Sequence, residues 1–148
     1  MIARRYQELI CWQLSNELKK RVYAFTAKAP AKNDFKFCTQ IRDSARGAPR
    51  TIAEGFGRFR PPEFARYLEF ARASLMETHN HLQDGRDLGY LTEDECSELC
   101  SLANRAIGAT TNLHAYLKNC KEPPWGRKGP GPEPGPRTGN RRTKNQEP

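Results

Sequence analysis

The sequence predicts an all-α protein: an up-down-up-down four-helix bundle with a disordered Pro/Gly-rich basic C-terminal tail. Apolar residues recur at three- and four-residue steps over four segments, which is the helical period. The connections between those segments are short and show no strand-like alternation, and such helices pack as a bundle. Apolar residues nearly vanish after Asn119, which divides the chain into a bundle, 1–120, and a tail, 121–148.

The first predicted helix runs from about Tyr6 to Ala27. It ends before Ala29-Pro30, because a residue that precedes proline is pushed out of helical geometry. Its apolar stripe consists of Cys11, Leu14, Leu18, Val22 and Phe25. We therefore expect this face of the helix to lie against the core.

The second predicted helix begins near Asn33 or Asp34, either of which can cap it, and continues to about Phe56. Pro49 lies inside it and removes a backbone hydrogen bond, so we expect a kink or two shorter helices there. Its apolar stripe consists of Ile41, Ala45, Ala48 and Ile52. Small side chains predict a tight contact with another helix, within the subunit or between subunits, and include Gly47, Ala48, Thr51 and Gly55.

The third and fourth predicted helices share a heptad-like seam that suits a bundle. The third starts at Pro61-Pro62-Glu63, since proline and an acid favour a first turn, and Gly89 is its expected end. Thr92 and Glu95 form a capping-box pattern at the start of the fourth. The two seams are Phe64, Leu68, Ala71, Leu75, Thr78 and Leu82, and Leu99, Ala103, Ala106, Thr110, Leu113 and Leu117.

Positive charge is in excess in both parts of the chain. The formal net charge is +8 and the pI about 9.5, and half of the excess lies in 121–148. RNA or DNA is the first class of partner that this charge favours, and an anionic membrane surface is the second. The alternative is that the charge serves solubility alone.

The expected compartment is the cytoplasm. The N-terminus lacks the apolar core of a signal peptide, and no apolar run approaches the roughly 20 residues of a membrane helix. Five cysteines at irregular spacings fit reduced thiols better than a disulfide framework. We therefore expect no membrane association.

The tail is expected to be disordered, because Pro- and Gly-rich charged sequence cannot bury enough apolar surface to offset chain entropy. Positions 123–136 hold six prolines and four glycines, and basic residues follow at Arg141, Arg142 and Lys144. Deleting 123–148 should shift the thermal midpoint by only a few degrees. A large loss of helicity, measured by circular dichroism, would show instead that the tail packs on the bundle.

The second and third predicted helices carry a specific sequence pattern. It comprises Gln40-Ile41-Arg42, Ala48-Pro49-Arg50-Thr51-Ile52-Ala53-Glu54-Gly55-Phe56-Gly57-Arg58, Glu63-Phe64-Ala65-Arg66-Tyr67-Leu68, Ala71-Arg72-Ala73-Ser74-Leu75 and Glu77. This pattern resembles the four-helix bundle proteins first noted as reading frames inside intervening sequences of bacterial large-subunit ribosomal RNA genes. The resemblance spans about residues 6–118. Its motif residues are Gln40, Pro49, Ile52, Glu54, Gly55 and Glu77.

The resemblance implies a helical bundle that assembles into a ring-like homo-oligomer, commonly a pentamer. It also implies a relative, the accessory subunit of diversity-generating retroelements, which binds a reverse transcriptase and RNA. Two positions depart from the family pattern. Thr51 stands where the family usually has Asn, and Ala48 stands where it usually has a larger aliphatic residue. A hydrogen bond made by that Asn is therefore expected to be weakened or replaced here.

Four arginines of the second predicted helix form the main candidate binding site. Arg42, Arg46, Arg50 and Arg58 step by four or eight residues, so they make one slowly turning basic stripe. Guanidinium groups about 6 Å apart along a helix can engage successive phosphates. Two alternatives stay open. One is a solvated face with Arg50–Glu54 and Glu54–Arg58 ion pairs, and the other is a subunit interface.

Catalytic and metal sites are not expected. Glu54 and Glu77 are carboxylates without a nearby nucleophile or metal set, so structural salt bridging is favoured over acid–base work. A zinc site requires three or four converging ligands. The candidates are Cys96, Cys100, His79, His81 and His114, and their positions on the predicted helices do not bring such a set together. We therefore expect no enzyme activity, cofactor or metal.

Two functions remain open from the sequence. The first is a non-catalytic nucleic-acid-binding or ribonucleoprotein accessory protein that uses the arginine stripe and the basic tail. The second is a protein–protein assembly module that docks a partner enzyme, such as a reverse transcriptase, without direct nucleic-acid binding.

Overall fold

Four helices account for most of the chain that the computed structural model describes, residues 3–58 and 60–121. They are α1 (Ile10–Thr26), α2 (Phe35–Phe56), α3 (Pro61–Asp87) and α4 (Glu93–Lys118). Each helix packs on the next, and α4 packs back on α1. The predicted four-helix bundle is thereby confirmed. The predicted tail lies outside the described residues beyond Lys121, and so do its candidate binding residues Arg141, Arg142 and Lys144.

The predicted helix ends are confirmed at three of the boundaries. Asp34 caps α2, because its Oδ1 accepts a hydrogen bond from the Phe37 N–H at 3.1 Å. Thr92 caps α4 in the same way, with its Oγ1 3.1 Å from the Glu95 nitrogen. After α3, Gly89 has a φ of +81°, a left-handed conformation that glycine adopts without steric cost.

Two details of the predicted helices are wrong. The first helix begins at Ile10, because Leu9 is extended and separates it from a single 3₁₀ turn at Tyr6–Glu8. No side chain caps this start, so the sequence carried no boundary signal there. The second helix is one continuous helix with Pro49 inside it, so the alternative of two shorter helices is also wrong.

The core is built from the predicted seams. All six seam residues of α3 are buried, and so are those of α4 except Leu113, which is half-buried. The α2 stripe is buried completely. Within the described ranges, no helix is both long and apolar enough to cross a membrane.

The glycines of α2 lie very close to α3. A Cβ added to Gly47 would lie 2.7 Å from Ser74 Oγ, and one added to Gly55 would lie 2.6 Å from Tyr67 Cβ. Real Cβ atoms do not approach other atoms so closely, so a larger residue at either position would force side chains of α3 or the helix itself to shift. The predicted tight contact of the small-residue face is therefore confirmed, and it lies within the subunit.

Ala48 lies on this face and is completely buried. Ala48→Leu is expected to lower the free energy of unfolding by about 1–3 kcal/mol, because extra methylenes in a packed core force side chains and backbone to shift. Urea denaturation measures the change. Ala73→Leu, at an exposed position of α3, is the control and should change it little. A gain in stability from Ala48→Leu would mean that the contact is looser than these distances indicate.

Candidate nucleic-acid interface

A groove of about 780 Å³ lies between α1 and α2 and is lined by basic residues of both helices. We call it the α1–α2 groove. It is lined by Tyr6, Trp12, Lys19, Asp43, Arg46, Pro49, Arg50 and Ala53. Three of these side chains are cationic and one is anionic, so the groove has a net charge of about +2 near neutral pH.

Arg46 and Arg50 project from exposed positions of α2 into this groove. Arg46 Nη2 donates to Asp43 Oδ1 at 2.6 Å, and this hydrogen bond raises the pKa of the guanidinium. Its side chain stays 57% exposed, so its remaining donors can reach a ligand. Arg50 forms no ion pair within the described part of the chain. Both arginines can therefore hold phosphate oxygens.

Arg42 has different surroundings from those of Arg46 and Arg50. It is half-buried, its Nε donates to Thr26 Oγ1 at 2.8 Å, and its guanidinium lies 4.9 Å from the centre of the Tyr23 ring. Thr26 is itself buried near the end of α1. Arg42 therefore ties α2 to α1 and does not line the α1–α2 groove.

Arg58, at the far end of the predicted stripe, is held by α3. Its Nη2 donates to the Tyr67 hydroxyl at 2.6 Å and lies 3.4 Å from Glu54 Oε1. The expected Glu54–Arg58 pair is thus present, whereas no Arg50–Glu54 pair occurs among the described contacts. The four arginines consequently occupy three environments, and only the middle two share a groove. Nucleic-acid binding by Arg42 and Arg58 stays a prediction.

The motif residues are mostly structural in their surroundings. Ile52 is completely buried, Pro49 is buried beneath the α1–α2 groove, and Gly55 lies against Phe64 and Tyr67. Gln40 is exposed and lines a shallow depression beside His81.

Thr51 satisfies its hydroxyl within its own helix. Its Oγ1 donates to the Gly47 carbonyl at 2.8 Å and lies 3.2 Å from the Ala48 carbonyl. The hydroxyl of Thr51 therefore makes a hydrogen bond inside α2. This agrees with the expectation that a hydrogen bond of the family's Asn is replaced at this position.

The two motif carboxylates are exposed and have separate neighbours. Glu54 pairs with Arg58 near the end of α2, whereas Glu77 Oε1 lies 3.4 Å from His81 Nε2 on α3. The contact between Glu77 and His81 lacks hydrogen-bond geometry. Both carboxylates have the surroundings expected for structural pairing.

The cysteines and histidines do not converge. Cys96 and Cys100 place their sulfurs 3.9 Å apart, and burial raises the pKa of the Cys100 thiol to about 11. A thiol with so high a pKa is a poor nucleophile at neutral pH. Within 3–58 and 60–121, no three His, Cys, Asp or Glu side chains are placed to hold a metal ion.

The contribution of α1 to this groove was not predicted from the sequence. Lys19 and Trp12 come from α1, and Tyr6 comes from the 3₁₀ turn before it. A signal was available, because Trp12 and Lys19 are seven residues apart and therefore share one face of a helix. The register of α1 against α2, however, follows from packing and not from a local pattern.

The fold and groove together define a helical bundle with a basic, partly aromatic cleft on one side. The sequence of residues 7–112 matches the family described as 23S rRNA-intervening sequence protein. The match covers well over half of the chain, so the protein belongs to this family. A comparison with curated proteins found no match.

Proposed function

We propose that this protein is a non-catalytic nucleic-acid-binding or ribonucleoprotein accessory protein that acts as a ring-like homo-oligomer. One observation carries the proposal: Lys19, Arg46 and Arg50 line a single groove from two different helices. Its family name, which refers to an intervening sequence of ribosomal RNA, agrees with an association with RNA.

The groove has the properties that phosphate binding requires. Guanidinium groups bind phosphate oxygens through charge-assisted and often bidentate hydrogen bonds. Asp43 neutralises part of the charge of Arg46. Most of the net attraction for phosphate therefore comes from Lys19 and Arg50. The energy from one groove is small, but a ring repeats the groove around its axis. Weak contacts would then add as avidity.

Fluorescence anisotropy with labelled mixed-sequence RNA and DNA oligomers tests the proposal. Binding at low salt should weaken steeply between roughly 50 and 200 mM salt, because phosphate contacts release counterions. Little dependence on base sequence is expected, since phosphates carry no sequence information. Absence of binding at low salt with micromolar protein would reject the proposal.

A second groove gives the proposed ring a candidate subunit interface. This α1–α4 groove has a volume of about 710 Å³ and includes Ile10, Leu113 and Tyr116 among its lining residues. Ile10 is 66% exposed and Tyr116 is 48% exposed. Exposed apolar side chains around one groove are typical of surfaces that another protein covers. We place the contact between neighbouring subunits on this surface.

Ile10→Asp is expected to shift the protein from oligomer to monomer, because it would bury an unpaired carboxylate at the contact. Size-exclusion chromatography with light scattering measures the mass. Met76→Asp is the matched control, since Met76 is 49% exposed on α3, away from this groove. If the mass of Ile10→Asp is unchanged, or if both variants become monomers equally, the interface lies elsewhere.

The same apolar surface supports the second candidate, an assembly module that docks a partner enzyme. In this candidate the partner binds there and the α1–α2 groove has no role in binding. Complex formation that is insensitive to nuclease and to Lys19→Gln would favour this candidate. Nucleic acid that copurifies with the protein and is lost with Lys19→Gln would favour the first.

A further inference from the structure

An aromatic side chain lines the α1–α2 groove together with its cations. Trp12 is half-buried and lines the groove together with Lys19 and Arg50. The Tyr6 ring stands edge-on to it, with 5.3 Å between ring centroids and 62° between ring planes. Tyr6 thus holds the indole in place, and part of the indole remains open to the groove.

Phosphate binding alone does not require an indole. Cations are sufficient for a phosphate backbone, whereas an aromatic ring beside them is the combination that binds an unpaired base and its phosphate together. Every base has a π-face, so stacking on an indole tolerates all sequences. The pairing of Trp12 with these cations therefore indicates a class of nucleic acid and not a sequence.

The groove has room for a nucleotide. Its volume of about 780 Å³ lies within the range of small-molecule sites. In a duplex the bases are stacked inside and cannot reach the groove without being flipped out, which costs free energy. A single strand presents its bases without that cost.

We propose that the α1–α2 groove binds single-stranded nucleic acid, with one unpaired base packed on Trp12 and adjacent phosphates held by Lys19 and Arg50. This inference rests on the proposed function and specifies its ligand class. Arg46 assists through the donors that Asp43 leaves unoccupied. Duplexes bind only through their phosphates and make no contact with the indole.

Tryptophan fluorescence gives the first test. The chain has two tryptophans, so Trp125→Phe leaves Trp12 as the only one. We expect quenching of Trp12 when a 12-nucleotide single strand is added to the full chain carrying Trp125→Phe. The duplex of the same sequence should bind at low salt and leave the fluorescence nearly unchanged. If anisotropy reports binding but the single strand and the duplex quench Trp12 equally, or neither quenches it, the inference is overturned. The proposed function is then unaffected.

Affinity gives the second test. Trp12→Leu should weaken single-strand binding by roughly 5- to 150-fold, the effect of losing one stacked base, and leave duplex affinity unchanged. Trp12→Tyr, which keeps an aromatic face, should recover most of the loss. Equal weakening of both ligands, or failure of Trp12→Tyr to recover binding despite wild-type helicity, would overturn the inference. Absence of binding of either ligand to the wild-type chain would reject the proposed function itself.

Discussion

Phe64→Ala is expected to lower the free energy of unfolding by about 3–5 kcal/mol, which is a large part of the stability of a domain this size. Phe64 is only 1% exposed and lies where α2 and α3 approach most closely. Its ring packs edge-on against Phe56, with 6.1 Å between centroids. Truncation would leave a cavity beside Gly55 that the two helices cannot close without losing their contact. Urea or thermal denaturation measures the loss.

Phe70→Ala is the matched control for this substitution. Phe70 lies on the same helix but is 48% exposed. It contacts Tyr67 edge-on at 6.0 Å, and the Arg66 guanidinium lies 5.7 Å from its ring centre. Loss of these surface contacts should lower the free energy of unfolding by about 1 kcal/mol or less. Equal losses for the two variants would contradict the packing of α2 on α3 described above.

Replacing Lys19, Arg46 and Arg50 together with glutamine should reduce affinity for nucleic acid on the order of a hundredfold at 50 mM salt. Three phosphate contacts would be lost, so the slope of log affinity against log salt should fall by about 2. Arg42 is kept in this variant because it ties α2 to α1 through Thr26. Helicity is therefore expected to remain unchanged. Anisotropy titrations at several salt concentrations measure both quantities.

A second triple variant controls for total charge. Arg66, Arg72 and Lys118 are exposed on α3 and α4, outside the α1–α2 groove, and their replacement with glutamine removes the same charge. We expect only a small loss of affinity and a nearly unchanged salt slope. If both triple variants lose affinity equally, attraction is spread over the whole surface and the groove is not a site. Deletion of the tail should weaken binding further and independently.

The fold could be predicted because its determinants are local or periodic. The α3 seam from Phe64 to Leu82 follows a strict heptad-like spacing, and all six residues that the spacing selects are buried. Asp34 and Thr92 cap the helices that they precede, since a capping side chain acts within three residues. The start of the first helix was misplaced because Leu9, which is extended, offers no side-chain cap that the sequence could reveal.

The candidate site could be predicted only in part. Arg46 and Arg50 follow from four-residue spacing on one helix, but the same spacing also selected Arg42 and Arg58. Tertiary contacts distinguish the two pairs. Arg42 donates a hydrogen bond to Thr26, and Arg58 donates one to Tyr67. The cations and aromatic rings contributed from α1 and its preceding turn depend on the register between two helices, which no local pattern encodes.

Photochemical cross-linking tests most directly whether the α1–α2 groove is the binding site. A single-stranded RNA oligomer carrying 4-thiouridine would be bound to the full-length protein at low salt, irradiated and mapped by mass spectrometry of the digested complex. We expect cross-links in the two segments that line the groove, residues 6–19 and 43–53. They should disappear in the Lys19, Arg46 and Arg50 triple variant. Cross-links confined to α3 and α4, or unchanged in that variant, would show that the groove is not the binding site.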